Sequence, residues 1–143
     1  MSIKEIFFYS RDKDYGWLSN FARFPQVVDG IVYSTNEHFY QSRKAKDYSV
    51  CMWIASAPNP FLAMKIGRSL RPYEMVDWTE EKRVEVMLKG LRAKFFGRKD
   101  TRELLLATGS AILHENSPTD MFWGVKGKDM LGKLLMQVRD ELK

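Results

Sequence analysis

Short apolar runs of β type mark the first third of the chain, and helical spacing takes over from about position 34. Residues 5–10 (EIFFYS) and 27–33 (VVDGIVY) are rich in aromatic and β-branched side chains, which favours strands. Asp29-Gly30 interrupts the second run between β-branched residues, the pattern of a tight hairpin turn. Ser34 followed by Glu37 predicts a capping box opening a helix through about Asp47. A short helix is expected over 48–56, before Pro58. Asn59-Pro60 supplies the N-cap and first position of a helix to about Leu70. Asp77 with Glu80 opens the longest helix, 78–96, whose Val84, Met87, Leu88, Leu91 and Phe95 mark a core face. Asp100 with Glu103 opens another, RELLLAT, stopped by Gly109. Residues 110–114 read as a short strand, 115–129 as a long loop and 130–143 as the last helix. The expected fold class is α+β, mostly helical, with a small antiparallel sheet near the N-terminus, in a single domain over 1–143. Strands and helices do not alternate, so no parallel pairing is expected.

Composition narrows the function more than the fold. A chain of 143 residues can bury a real core without staples. Cys51 is the single cysteine, so no internal disulfide forms, and no Cys/His spacing suits zinc. No apolar run reaches the ~18 residues of a membrane span, and the start MSIKEIFFYSRDKD lacks the apolar core of a signal peptide. The expectation is a cytoplasmic protein without metal or membrane partner. The net charge of +5 is scattered along the chain. It is compatible with a phosphorylated substrate or nucleic acid, and equally with a solvated surface.

Three segments hold chemistry-bearing residues. GWLSNF, 16–21, places Trp17 and Phe21 around Ser19 and Asn20. Either the loop tucks its rings into the core, or it forms a stacking wall beside an amide that reads polar atoms. In STNEHFYQSRKAKD, 34–47, Glu37, Gln41 and Lys44 fall at i, i+4 and i+7 and share one helix face. A capping glutamate and a solvated polar face account for the same residues. The helix dipole at the first turn would lower the pKa of Glu37 and keep it ionised. HENSPTDMFWGVKGKD, 114–129, gathers Asp120, Phe122, Trp123, Gly124 and Gly127 in a loop. Glycines let backbone approach a ligand, but the run matches neither phosphate-loop nor dinucleotide fingerprint. His38 and His114 lie far apart and read as structural. Arg68 and Arg92 fit an inward or outward direction equally.

Taken in order, FYS, WLSNF, TNEHFYQSRKA, AMKIGR, Trp78, MLKGLRAKF, LLLATG, DMFWG and LGKLLMQVRDEL resemble the NADAR family and its YbiA-like branch, from Phe8 to Leu142. NEHFYQSRKA and DMFWG with LGKLLM are the most specific pieces. The resemblance implies a mostly helical fold and hydrolysis of N-glycosidic bonds without a cofactor. The implied substrate is a phosphorylated ribosyl small molecule, a ribosylamino-pyrimidine phosphate of the early riboflavin pathway, or else ADP-ribosylated guanine in nucleic acid. By the same resemblance the essential glutamate is Glu37 and the lysine Lys44. Trp78, Asp120, Trp123, Trp17, Asn20 and Phe21 fall on substrate-facing positions; Gly124 follows in the glycine-rich turn, and Arg68, Arg92, Lys126 and Lys128 are the candidates for phosphate contacts. The chain departs from the family where GVKGKD is shorter and poorer in glycine, and where Asp129 stands near a usual asparagine. An aspartate there would repel phosphate.

Cleavage of an N-glycoside develops positive charge at the sugar, which Glu37 would stabilise or relieve by deprotonating water. Asp120 or a water would protonate the leaving amine. Lys44 offers a second route through a Schiff base with the opened ribose. An ADP-ribose or nucleotide sensor without turnover is the alternative reading.

Overall fold

Two small sheets and six helices make up residues 4–143, the part of the chain that the computed structural model describes. The first three positions of the N-terminal stretch read above as lacking a leader lie outside it. In chain order the elements are β1 (Glu5–Phe8), β2 (Gln26–Val28), β3 (Ile31–Tyr33), α1 (Asn36–Ser42), α2 (Tyr48–Ala55), α3 (Pro60–Ser69), α4 (Glu80–Phe96), α5 (Lys99–Ala107), β4 (Ile112–Glu115) and α6 (Met130–Leu142). The mostly helical α+β class and the small antiparallel sheet are present. No helix among the described residues is long and apolar enough to cross a membrane.

The β2–β3 hairpin forms where expected, with Val28 opposite Ile31. Asp29 and Gly30 both have positive φ, 52° and 81°, as a hairpin turn that follows strand twist requires. The expectation of no parallel pairing is overturned. β1 pairs in parallel with β4, Ile6 opposite Leu113 and Phe8 opposite Glu115. Alternation along both strands turns Ile6, Phe8 and Leu113 into the core. That burial, worth roughly 1.5–3 kcal/mol per large apolar side chain, holds the pair without any local signal between the strands.

The helix starts differ from the sequence reading in detail. Thr35, not Ser34, caps α1 and accepts from the His38 backbone N–H at 3.2 Å. Thr79, not Asp77, caps α4 and accepts from Lys82 N–H at 3.1 Å. α5 begins at Lys99, and Asp100 lies within its first turn, paired with Arg98 at 2.8 Å. Asn59 caps α3 as expected, accepting from Leu62 N–H at 2.9 Å.

α1 ends at Ser42 rather than near Asp47. Beyond it the backbone leaves the helix to pair with 74–76: Val76 N–H donates to Lys44 O at 2.9 Å, and Lys46 N–H to Glu74 O at 2.9 Å. Inter-segment hydrogen bonds thus replace the last helical turn. Phe8, Phe39, Leu91, Phe95, Leu113 and Leu135 form the centre of the core. Among them lies Lys94, fully buried on the inner face of α4. Its Nζ donates to Trp17 O at 2.7 Å and Ser19 O at 3.0 Å, tying the 16–21 loop to α4.

Candidate active site

A cavity of about 760 Å³ opens between α1, α3, the 16–21 loop and the 117–123 loop. α1 gives it Glu37, Tyr40 and Gln41 from successive inward positions of a short helix buried along its whole length. Thr35 closes one end of that helix, and Glu37 N–H, an orphan first-turn donor, is satisfied by Asn20 O at 3.0 Å. That bond joins the helix start to the 16–21 loop.

Glu37 is buried, and Gln41 Nε2 donates to its Oε2 at 2.8 Å. The glutamine is itself pinned, because α3 passes so close that only Gly67 fits beside its amide. Gln41 Oε1 is buried against Gly67 without a hydrogen-bond partner. The dipole expectation for Glu37 fails. Burial pushes its pKa up, opposed by the Gln41 hydrogen bond and by Lys44 and Arg68. Removal from water outweighs a first-turn dipole.

Lys44 lies past the end of α1 yet lines the same cavity. Its Nζ stands 5.6 Å from the Tyr40 ring centroid and 5.9 Å from that of Trp78. Burial lowers its pKa to about 8 against the pull of Glu37, and Arg68 and Arg83 lower it further. Tyr40 meets Trp78 edge-on at 5.4 Å and Trp123 at 5.8 Å, so three rings brace one wall.

Asp120 lines the cavity, but its Oδ1 accepts from the Phe122 and Trp123 backbone N–H groups at 3.0 and 2.8 Å. It shapes the turn that presents Trp123. Gly124 stands behind that turn, where a Cβ would sit 2.5 Å from Asp120 O. Asn20, Phe21 and Arg68 also line the cavity. Asn20 is oriented by Asn36, whose Nδ2 donates to Asn20 Oδ1 at 2.9 Å. Trp17, read as part of a stacking wall, does not line this cavity. It faces the core, edge-on to Phe95 at 6.4 Å, because Tyr15 at φ 60° turns the chain inward ahead of it. Arg92 binds Glu141 instead, at 2.7 Å. No group of three His, Cys, Asp or Glu side chains among the described residues is arranged to hold a metal ion.

A model of the NADAR domain matches residues 7–143. The chain belongs to the NADAR domain family. It is 41% identical over 141 residues to N-glycosidase YbiA of Escherichia coli strain K12, covering 96% of this chain and 88% of the relative. The NMR structure of E. coli YbiA superposes with a TM-score of 0.89, at 40% identity, over 99% of this chain and 86% of that one. A riboflavin biosynthesis protein of Vibrio vulnificus is 36% identical over 96% of this chain, which spans 38% of that longer protein.

Within this NADAR domain the two departures in the last loop lie outside the lining of the cavity. Asp129 binds His114 Nδ1 through Oδ2 at 2.6 Å, and His114 Nε2 reaches Glu5 Oε1 at 3.2 Å. The aspartate therefore locks β1, β4 and the start of α6 together, and does not face a phosphate in the cavity. Tyr40, Arg83 and Glu115 are among the cavity residues that sequence reasoning missed. Arg83, on α4, leaves its Nε buried and unpartnered. Glu115 closes β4, and alternation with buried Leu113 was the signal that it faces inward.

Proposed function

We propose that this N-glycosidase cleaves the bond between ribose C1 and the exocyclic amine of a nucleobase-like ring, with a ribosylamino-pyrimidine phosphate as substrate. The carrying observation is a buried carboxylate, Glu37, held by Gln41 beside a partly desolvated lysine, in a cavity walled by Tyr40, Trp78 and Trp123. The rings offer faces for the base and the ribose. Arg68 and Arg83 supply charge for phosphate. The riboflavin biosynthesis name of the Vibrio vulnificus relative supports this substrate class.

Glu37 takes the proton of the attacking water. A carboxylate with a raised pKa is a stronger base while it remains ionised, and Lys44 and Arg68 keep that form accessible. The lowered pKa of Lys44 also favours a covalent route, since more of it is free amine near neutral pH. Borohydride trapping of an adduct on the wild type and not on Lys44→Ala separates that route from direct water attack.

ADP-ribosylated guanine is the second reading. The cavity runs out to Arg11, Phe61 and Arg68 at an exposed rim, which leaves room for a larger base and a second phosphate. The test incubates the wild type and Glu37→Gln with the ribosylamino-uracil phosphate and, separately, with ADP-ribosylated guanosine, and reads released base by chromatography. Release from the first substrate by the wild type, with a loss of about 10²–10⁴-fold in Glu37→Gln, is expected. Release from the second alone transfers the assignment to nucleic-acid repair chemistry. Release from neither rejects both substrates.

A further inference from the structure

Cleavage of a C–N bond needs an acid as well as a base, because an amine leaves poorly as an anion. Asp120 looked suited from its position in the chain, but its Oδ1 is taken up by two backbone N–H groups of the turn before Trp123. A second carboxyl in the same cavity has no such task. Glu115 ends β4 opposite Phe8, which also lines the cavity, and Val125 N–H fixes its carbonyl at 2.8 Å. The backbone is held from both sides while Oε2 is buried without a hydrogen-bond partner.

We propose that Glu115 is the general acid of the reaction, giving its proton to the departing exocyclic nitrogen. This rests on the N-glycoside reading above. Both glutamates of the cavity are raised by burial, but their neighbours differ. Burial raises Glu37 on α1 and Asp120 adds to this, but a hydrogen bond from Gln41 and the fields of Lys44 and Arg68 oppose it. The charges acting on Glu115 are Asp120 from the neighbouring loop, Glu37 from α1 and Asp129 from the start of α6, all acidic. His114 is next in sequence but points to the other face of the strand, stacked on Phe7 at 4.8 Å and bound to Asp129. Burial and the three carboxylates therefore push Glu115 to about 7. Two carboxyl groups whose environments pull their protonation apart are how acid and base roles are divided in one site. Only Glu37 has a hydrogen bond and nearby cations that favour its ionised form, so the acid role falls to Glu115.

The step balances with water as the co-reactant. The C1–N bond breaks, its electron pair moves to nitrogen, and nitrogen takes the Glu115 proton. Water oxygen bonds to C1 and its proton passes to Glu37. Transfer of that proton through solvent to Glu115 restores both groups. Glu115 must be protonated to act, so kcat/KM should fall on the alkaline side with a midpoint near 7.

The test measures pH profiles of kcat/KM for the wild type, Glu115→Gln and Glu115→Ala on whichever of the two substrates above the wild type cleaves. Glu115→Gln should lose about 10²–10⁴-fold and the alkaline limb together, while thermal melts show it folded. Added formic acid should restore part of the rate to Glu115→Ala in proportion to its concentration. An active wild type whose rate and alkaline limb survive in Glu115→Gln overturns the assignment alone. So does a slower Glu115→Gln that keeps the limb, since a structural role would lower rate without removing a titration. An inactive wild type sinks the substrate reading and takes this assignment with it.

Discussion

Lys94 puts an ammonium group where solvent cannot reach, and its replacement by methionine tests how the 16–21 loop is held. The side chain is fully buried, and burial alone brings its pKa from 10.5 to about 7. At about 1.4 kcal/mol per pH unit, that interval corresponds to roughly 5 kcal/mol spent on keeping the charge inside at low pH. Methionine removes this cost but leaves Trp17 O and Ser19 O without a donor, at about 1–3 kcal/mol each. The two effects nearly cancel, so stability at one pH says little. The slope decides. The folded pKa lies below the unfolded one, so between about pH 7 and 10.5 the unfolded chain holds more protons, and stability rises with pH. From about pH 7.5 to 9.5 the wild type should gain about 3 kcal/mol relative to Lys94→Met. Lys44 also titrates in this range, but it is present in both proteins and drops out of the difference. Urea unfolding of both proteins across that range reads the effect directly. Parallel stability curves would refute the reasoning and mean that the ammonium finds compensation that burial and the two carbonyls do not explain.

Two further outcomes follow from the walls of the cavity. Gly67→Ala drives a methyl group into the Gln41 amide, which must release Glu37; a hydrogen bond to a charged group is worth about 1.5–3 kcal/mol, so kcat should fall roughly 10- to 100-fold while the melting temperature shows the fold intact, and an unchanged kcat rejects Gln41 as the holder of the carboxylate. Trp78→Ala, measured by calorimetry in a Glu37→Gln background, should weaken substrate binding by about 1–3 kcal/mol, and an unaltered affinity removes this ring from the binding wall.

What was readable in the chain followed local chemistry. Asp29-Gly30 and Asn59-Pro60 each act within a few residues, and both did as expected. Glu37, Gln41 and Lys44 were found through helical spacing, although Lys44 reaches the cavity from an extended segment that pairs with 74–76. The helix period overran because those partners lie about thirty positions away and leave no mark on the local pattern. Trp17 misled for a related reason. A ring beside a polar loop suits core and site alike, and the backbone turn at Tyr15 chose the core. Glu115 was passed over as the first position of the long loop 115–129. Its importance depends on Glu37, Asp120 and Asp129 converging from elsewhere in the chain.

The parallel pairing of β1 with β4 also sets an order of events during synthesis. β1 leaves the ribosome well before its partner, which lies more than a hundred residues downstream. Helices α1 to α5 have local contacts and can form while β1 waits unpaired, with Phe8 and Ile6 exposed. Closing so long a loop is entropically late, and such non-local pairings slow folding and invite aggregation of the waiting strand. Because Phe8 and Glu115 meet only at that closure, the cavity is among the last features to assemble. A nascent chain stalled before β4 would have Glu37 and Lys44 in place and no finished chamber around them, so the cavity closes only once β4 has been made.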